Sequence, residues 1–373
     1  MTTILITGAD GFIGRNLKFR LEEEARFEVI GVGREDDDAK LLEAAARAEF
    51  VFHLAGVNRP KDPVEFETGN VDFTEKLCAF LQAAGNHAPV AYTSSISASS
   101  DNAYGTSKHA AENVLLSHSA KTGAVAHIFR LPNVFGKWAR PNYNSAVATF
   151  CHNTARELPI HVIDTAAPLR LVYIDDVIDI FISLIDGGPR TSGFRDVPVE
   201  YATTVGQVAD IIASFSSNRQ KLVTQPVGLG LTRALYATYL SYLEPAQFSY
   251  QVPVHGRNDP RGIFVEMLKT QDSGQFSYFI AHPGVTRGDH YHHSKSEKFL
   301  VIQGKAHFGF RHIGTGETFE LVTDGGEGTI VETIPGWTHN ISNIGNDDLI
   351  CMLWANEIFD PVKPDTIHMK VSI

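Results

Sequence analysis

The sequence predicts an α/β chain in two parts, a doubly wound parallel sheet followed by an all-β barrel. Three observations predict it. Up to about residue 200, short apolar runs alternate with longer amphipathic stretches. A glycine-rich turn follows the first of those runs. After about residue 250 the texture changes to short alternating runs separated by Gly, Asp and Pro. Parallel strands need a crossover element between them, so apolar strands that alternate with helices belong to a sheet covered on both faces.

In chain order, the strand runs are Ile4 to Thr7, Glu28 to Val32, Phe50 to Leu54, Val90 to Ser94 and Ala126 to Phe129. Between them the 3.6-residue pattern predicts helices over Phe12 to Glu24, Val71 to Ala84 and Tyr104 to Ser117. In the second part Phe276 to Ala281, Lys298 to Ile302, Ala306 to Arg311 and Thr329 to Ile334 read as strands, with no amphipathic helix among them. A helical pattern at Thr232 to Leu243 ends near Pro245 to Pro253, which places the domains at residues 1–248 and 249–373.

At 373 residues the chain exceeds the usual size of one hydrophobic core, in keeping with two domains. A net charge of −11 argues against a nucleic-acid-binding face, which needs clustered Lys and Arg. Met1 to Gly8 runs straight into a strand pattern, and no apolar run reaches membrane-spanning length, so a cytoplasmic protein without a membrane partner is expected. Cys78, Cys151 and Cys351 are odd in number and far apart, as reduced packing thiols would be.

Chemistry enters with Gly8-Ala9-Asp10-Gly11-Phe12-Ile13-Gly14, directly after the first strand and opening a helix. Glycine is needed where the chain turns tightly, where backbone must approach a pyrophosphate and where helix packs on strand. The helix N-terminus then offers oriented N–H groups to phosphate. The second strand ends at Val32-Gly33-Arg34, where an NAD site would place a carboxylate on the ribose diol. Arg34 points to NADP(H) in preference to NAD(H), while Asp36, Asp37 or Asp38 would serve a ribose if Arg34 is a solvated loop residue.

Tyr104-Gly-Thr-Ser-Lys108 opens a helical stretch, and a spacing of four puts phenol and ammonium on one face. A tyrosine exchanging protons near neutrality needs a cation beside it, and Lys108 can supply that field and bond the nicotinamide ribose. Tyr92 to Ser97 closes the fourth strand with hydroxyls able to hold a carbonyl against the tyrosine.

In the second part Gly284-x5-His290-x-His292-x4-Glu297-x6-Gly304 is followed by Gly328-x5-Ile334-x-Gly336-x2-His339-x3-Asn343. Residues two apart on a strand share a face, so His290 and His292 converge, and Glu297 and His339 can close the shell around one divalent metal. Three imidazoles and a carboxylate suit Zn, Fe, Mn, Ni or Cu, with zinc the first expectation. His293, His307 and His312 read as barrel residues. Tyr291, Lys298 and His312 are the candidates for a base beside the metal.

The N-terminal pattern resembles the extended short-chain dehydrogenase/reductase family. Gly8, Gly11, Gly14, Ser95, Tyr104 and Lys108 match its motifs, as do Leu54-Ala55-Gly56, Asn70, Arg130 to Gly136 and Arg170 to Val177. The resemblance implies a Rossmann-like domain with Ser95, Tyr104 and Lys108 catalytic, Ser95 being taken over Ser94 by alignment. It further implies a dinucleotide held by Gly8, Gly11, Phe12, Ile13, Gly14, Leu54, Ala55 and Gly56. Dehydratases of that family carry an Asp-Glu pair immediately after the hydroxyl; Ile96 and Ser97 stand here, so hydride transfer is expected rather than elimination.

The C-terminal double motif resembles the cupin superfamily, with Ile334 in the usual Pro position. Along nearly its whole length the chain resembles the bifunctional capsule enzymes of CapF type. That implies a homodimer acting on a UDP-sugar: the cupin epimerises C3 of a UDP-4-keto-6-deoxy-N-acetylhexosamine, and the reductase then converts its C4 ketone to the alcohol of a UDP-6-deoxy-L-talosamine. Asn133, Lys137, Arg140, Asn142 and Arg170 are the expected substrate contacts. Other readings are the same chemistry on another nucleotide sugar, a non-catalytic NAD(P)-sensing protein, and an iron oxygenase using the same four ligands.

Overall fold

A computed structural model describes residues 1–243 and 256–372. The chain folds as two compact units, Met1–Ala213 with Ala234–Leu243, and Ser214–Arg233 with Glu244–Ile373. The junction expected at residues 248 and 249, within Pro245 to Pro253, lies outside the described residues.

The first unit is built on β1 (Thr2–Thr7), β2 (Phe27–Val32), β3 (Phe50–His53), β4 (Val90–Ser95) and β5 (Ala126–Leu131). Between them run α1 (Phe12–Glu22), α2 (Asp38–Arg47), a short α3 (Val64–Phe66), α4 (Phe73–Ala83) and α5 (Ala103–Thr122). With β8 (Gly193–Arg195) the strands form one parallel sheet in the order β2-β1-β3-β4-β5-β8. The order reverses between β1 and β3, so the loops leaving them diverge and open a crevice at the carboxyl edge of the sheet. β6 (Asn133–Phe135), β7 (Pro168–Tyr173) and β9 (Tyr201–Thr204) make a second, three-stranded sheet.

Strand residues alternate between the faces, and both faces are apolar. Leu5, Val51, Val90 and Ile128 pack against Leu41 of α2, Leu77 and Leu81 of α4 and Leu115 of α5. On the other side Phe52 and Phe129 meet Phe181 of α7 (Ile174–Gly187), which follows α6 (Ala146–Ala155). Cys78, Cys151 and Cys351 are buried and free, as packing residues are.

The predicted helix from Val71 begins earlier and differently. A π-helical stretch over Glu67–Asp72 precedes α4 and turns the buried Asn70 toward Val57 and Ser107. Such wide turns occur mostly at functional positions. α2 has its own start signal: the Asp37 carboxylate accepts the Lys40 N–H at 3.0 Å and caps the helix.

α5 is held by a buried carboxylate. Glu112 is 1% exposed and accepts two hydrogen bonds from Arg130, 2.9 Å from Nε and 2.7 Å from Nη2, with the Ser94 hydroxyl at 2.5 Å. Burial opposes its ionisation, but those bonds outweigh it and hold the carboxyl below the usual carboxylate range.

After α8 (Val205–Gln220), β10 (Val223–Thr224) pairs in parallel with β12, and α9 (Gly230–Leu240) follows. The barrel strands are β11 (Arg257–Asp259), β12 (Gly262–Thr270), β13 (Gly274–Ala281), β14 (Thr286–Tyr291), β15 (Glu297–Gln303) and β16 (Lys305–His312). They continue with β17 (Thr318–Asp324), β18 (Ile330–Thr333), β19 (Trp337–Asn343), β20 (Leu349–Ala355) and β21 (Ile367–His368). They form two sheets, β10-β12-β13-β20-β15-β18 with β11 on β12, and β17-β16-β19-β14-β21. Phe279 and Phe299 from the first sheet and Phe308, Phe310 and Ile341 from the second share one core. Among the described residues no helix is long and apolar enough to cross a membrane.

Removing Arg130 leaves the Glu112 carboxylate buried without its cation. Arg130→Met is expected to cost the first unit about 2–3 kcal/mol, the low end for a broken buried pair because the guanidinium is partly exposed. A denaturant titration checks it, and an unchanged midpoint would show that the pair does not hold α5.

Candidate active site and metal centre

The glycine turn is shaped by contact. Gly8 has φ +71°, and a Cβ there would stand 2.7 Å from the Ala55 nitrogen, so the two backbones pass closely at the strand ends before their loops diverge. A Cβ on Gly14 would stand 2.1 Å from the Gly8 carbonyl oxygen, which lets α1 start directly against the turn, with Phe12 and Ile13 in its first turn. Leu54, Ala55 and Gly56 leave β3. Gly56 lies against Asn70 and the Lys108 ammonium, where a Cβ would come within 3.0 and 3.1 Å. Asn70 pins that loop through both the N–H and the C=O of Val57, at 2.8 and 3.0 Å.

Arg34 is exposed at the end of β2. The acidic residues that compete with it for the ribose edge are engaged locally. Asp36 accepts from the Gly33 N–H at 2.8 Å and from Lys40 at 2.9 Å, Asp37 caps α2, and Asp38 pairs with Lys76 at 2.9 Å.

α5 carries Tyr104, Lys108 and Glu112 four residues apart on one face. Lys108 is 6% exposed, and its ammonium donates to the Tyr92 hydroxyl at 3.2 Å and the Thr93 carbonyl at 2.9 Å. Burial pushes its pKa down to about 8, against the pull of Glu112. Burial likewise raises Tyr104 above the usual phenol value, and the neighbouring Ser95 hydroxyl offsets part of that. Tyr104 is thus a neutral phenol near pH 7, the form that gives a proton. Ser94 faces the other way, committed to Glu112, while Ser95 also accepts the Ser97 N–H at 3.1 Å.

Sequence reasoning missed His53, which lies beneath this site. It is 1% exposed and stacks on Tyr92 with ring centroids 5.1 Å apart. Thr74 donates its hydroxyl proton to the Asn70 carbonyl at 2.6 Å, so it must accept from His53 Nε2; Nδ1 then accepts from Thr7. Burial first and Lys108 second hold this imidazole down to about 3, so it is neutral and acts as a tie between β1, β3 and α4. A histidine ending a buried strand was the available signal.

The expected substrate residues occupy varied settings. Asn133 is exposed and donates to the Arg170 carbonyl at 3.3 Å, and Arg170 itself is paired with Glu200 at 2.5 and 2.8 Å. Lys137 pairs with Asp175 at 2.5 Å, while its carbonyl accepts from Asn16 of α1 at 3.3 Å. Arg140 lies over the Tyr143 ring, and Tyr143 donates to Asn58 at 2.9 Å, so the loop containing Asn142 reaches the loop that leaves β3. Asn142 has φ +55°.

In the barrel, ligand atoms of His290, His292, Glu297 and His339 all lie within 4.8 Å of one another. The Glu297 Oε2 is 3.2 Å from His339 Nε2, 3.3 Å from His292 Nε2 and 4.0 Å from His290 Nε2. Four ligands about 2.1 Å from one centre stand about 3.4 Å apart when tetrahedral, so the spacing fits a divalent cation. His292 supplies a sharper test. Its Nδ1 donates to the Asp365 carbonyl at 2.5 Å, which leaves the Nε2 lone pair buried and without a hydrogen-bonding partner. Such an outward donor is what fixes a ligating imidazole's tautomer. Burial opposes ionisation of Glu297, yet the three imidazoles and Lys295 hold its carboxyl well below the usual range.

A cavity of about 350 Å³ adjoins this cluster, lined by His290, Glu297 and His339 together with Arg287, Lys295 and several phenylalanines. None of the three expected base candidates lines it. Strand alternation turns Glu297 in and Lys298 out, where Lys298 pairs with Glu332 at 2.6 Å. Tyr291 packs edge-on against His293, and His312 Nδ1 accepts the Gly314 and Thr315 amides of its own turn. His293 is exposed and His307 pairs with Glu320 at 3.3 Å, both as barrel-surface residues.

Residues 4–192 match the NAD dependent epimerase/dehydratase family, and residues 257–367 match the polysaccharide biosynthesis C-terminal domain. The UDP-2-acetamido-2,6-beta-L-arabino-hexul-4-ose reductase of Pseudomonas aeruginosa (strain PA103) is 54% identical over 368 residues, covering 99% of this chain and 98% of that protein. The crystal structure of capsular polysaccharide assembling protein CapF from Staphylococcus aureus matches with a TM-score of 0.90 at 40% identity, over 99% of this chain and 100% of that one. The UDP-glucuronic acid 4-epimerase of Bacillus cereus, solved with NAD, has a TM-score of 0.56 at 18% identity over 65% of this chain and 98% of its own, a likeness of fold alone. The Rossmann-like sheet and the cupin-like barrel expected from the sequence are the architecture shared with the CapF structure.

The role expected of Lys108, holding a ribose hydroxyl and steadying a phenolate, calls for its ammonium form. That form is lost as pH rises through about 8. In initial-rate kinetics, kcat/KM for the dinucleotide is expected to fall above that pH, and Lys108→Arg should abolish the fall within the measurable range. An identical alkaline limb in both proteins would assign the titration elsewhere.

Proposed function

We propose, from the premise that this chain belongs to the NAD dependent epimerase/dehydratase family and within it to the CapF-type enzymes, that it is a UDP-sugar 4-ketoreductase whose barrel first epimerises C3. The substrate is a UDP-4-keto-6-deoxy-N-acetylhexosamine, the product a UDP-6-deoxy-L-talosamine that supplies L-fucosamine to a polysaccharide. The observation that carries the reading is the Tyr104 phenol beside Ser95, on the same face of α5 as the buried Lys108 ammonium. The name of the Pseudomonas aeruginosa relative, a reductase of a UDP-linked hexul-4-ose, supports the substrate class.

When bound, the nicotinamide would supply a hydride to C4. The Ser95 hydroxyl orients the ketone, Tyr104 gives its proton to the forming C4 alkoxide, and Lys108 holds the ribose and steadies the phenolate left behind. NADPH is the preferred donor, since Arg34 is exposed at the ribose edge while Asp36, Asp37 and Asp38 are occupied. Gly8, Gly11 and Gly14 admit the pyrophosphate to the start of α1.

In the barrel, His290, His292, Glu297 and His339 would hold a divalent metal, zinc by donor set, whose Lewis acidity favours loss of the C3 proton next to the C4 carbonyl. The C3–H bond breaks with its proton passing to solvent water, its electron pair moves into C3=C4, and the C4 oxygen becomes an enolate oxyanion. Reprotonation of C3 from the opposite face completes the inversion. Reduction at C4 abolishes the acidity of C3, so epimerisation precedes it.

Tyr104→Phe tests the division of labour. It is expected to lower NADPH oxidation at least a thousandfold, on the order of 4 kcal/mol of barrel-independent barrier, while deuterium from solvent still enters C3 by mass spectrometry. Loss of both activities would count against separable sites. Chelation should abolish the C3 exchange and leave the thermal transition of the first unit in place; exchange that survives chelation would make the metal structural.

A further inference from the structure

β14 does not run straight through the site. Gly288 pairs with Asn340 and His290 with His339, and the register shifts between them. Asp289, the residue at the shift, has φ +56°, an uncommon conformation for a residue other than glycine. It is held there by several bonds. Its carboxylate accepts from Asn340 Nδ2 at 2.9 Å and from the Val371 N–H at 3.2 Å, and its carbonyl accepts the Met369 N–H at 2.9 Å. In an unbroken strand Arg287 would share a face with Asp289 and Tyr291, opposite His290. The extra residue changes the phase, so Arg287 and His290 both line the cavity. Strain of this kind persists where the surroundings over-determine it, and it concentrates at working sites.

What the bulge delivers is an incompletely bonded cation. The Arg287 guanidinium gives one Nη2 hydrogen to the Ile280 carbonyl at 3.2 Å and lies over the Phe279 ring at 5.4 Å. Its Nε is buried and has no hydrogen-bonding partner. The nearby carboxylate of Asp259 is engaged by Arg261, which donates to it from Nη2 at 2.7 Å and from its own backbone at 2.8 Å. The guanidinium thus lines the cavity with only one of its five N–H donors used by the described residues.

We propose that Arg287 is a catalytic residue of the barrel reaction, its guanidinium donating to the oxyanion that develops on the C4 oxygen when C3 loses its proton. The inference rests on the epimerase reading of the barrel and deepens it by naming the protein donor that shares the enolate charge with the metal cluster. A guanidinium fixed beside aromatic rings needs no reorganisation as charge appears, which is how such donors accelerate enolate formation. The bulge at Asp289 is then the device that sets the donor on the same wall of the cavity as the ligand His290.

The test follows deuterium entry at C3 of a UDP-4-keto-6-deoxy-N-acetylhexosamine in the full-length, zinc-loaded chain without NADPH. Arg287→Gln is expected to lower kcat for exchange about a hundredfold, with KM changed less than about threefold and zinc content equal to that of the unaltered chain. Arg287→Lys should fall between the two, and added guanidinium ion should restore part of the exchange in Arg287→Ala. Exchange at the unaltered rate in Arg287→Gln would overturn the proposal. So would a rise in KM at constant kcat, which would make Arg287 a contact for the diphosphate, or loss of zinc, which would make it part of the scaffold. No exchange in the unaltered chain would overturn the epimerase reading itself and this inference with it.

Discussion

A carboxylate that cannot reach water sets the geometry of the reductase half. Glu112 is fixed by Arg130 from β5 and by Ser94 from β4, and it lies one helical turn beyond Lys108 and two beyond Tyr104. Anchoring that one side chain fixes the rotation of α5 against the sheet. The rotation in turn decides that Lys108 meets the Tyr92 hydroxyl and the Thr93 carbonyl, and that Tyr104 meets Ser95. Neighbouring hydroxyls thereby acquire opposite duties: Ser94 faces the helix interior and completes the anchor, and Ser95, one strand residue on, faces the crevice. Two charges of opposite sign, Lys108 and Glu112, are both buried on one helix face, and each is supplied with its own partners, so neither satisfies the other at the site's expense.

The barrel follows the same logic of satisfied and unsatisfied groups. Along the last strand and tail nearly every polar atom near the cluster has a partner: Asp365 accepts from the amides of His293, Ser294 and Lys295, and its carbonyl fixes His292. Against that background two buried atoms without partners stand out near the cluster. They are a lone pair, His292 Nε2, and a donor, Arg287 Nε. The lone pair faces the Glu297 carboxylate across 3.3 Å, an arrangement of two acceptors that a cation between them would relieve.

Much of this was legible in the sequence, because its signals are local. The glycine spacing, the hydroxyls ending a strand, the four-residue step from Tyr104 to Lys108 and the two-residue step from His290 to His292 each encode a backbone geometry within a few residues. What was not legible depends on which of several available partners a side chain takes. α2 announces itself with Asp37 followed by a helix-forming run, yet the same acidic residues read as ribose ligands until their partners Gly33, Lys40 and Lys76 are known. Strand phase decided the base candidates: Lys298 follows Glu297 and must face outward, and the Asp289 bulge reverses the expected phase upstream of His290. His53 was passed over because a histidine inside an apolar strand shows its purpose only through Thr7 and Thr74.

The protonation state of Tyr104 bears on the direction of the chemistry. A family member that eliminates water needs a carboxylate pair beside the tyrosine to take a proton from one carbon and return another to the leaving oxygen. In this chain the residues after Ser95 form a short 3-10 turn over Ile96–Ser99, and the Ser97 amide is spent on the Ser95 hydroxyl. With no acid or base at positions 96 and 97, the proposed mechanism leaves the phenol's own proton as the one that moves at this site. Burial keeps that proton on the oxygen near neutral pH. A ketone receiving hydride consumes a proton, and an alcohol losing hydride releases one, so a resting phenol is matched to reduction. A C3 proton is acidic only while C4 is a ketone, so under the proposed sequence the step assigned to the barrel comes before the one assigned to the phenol.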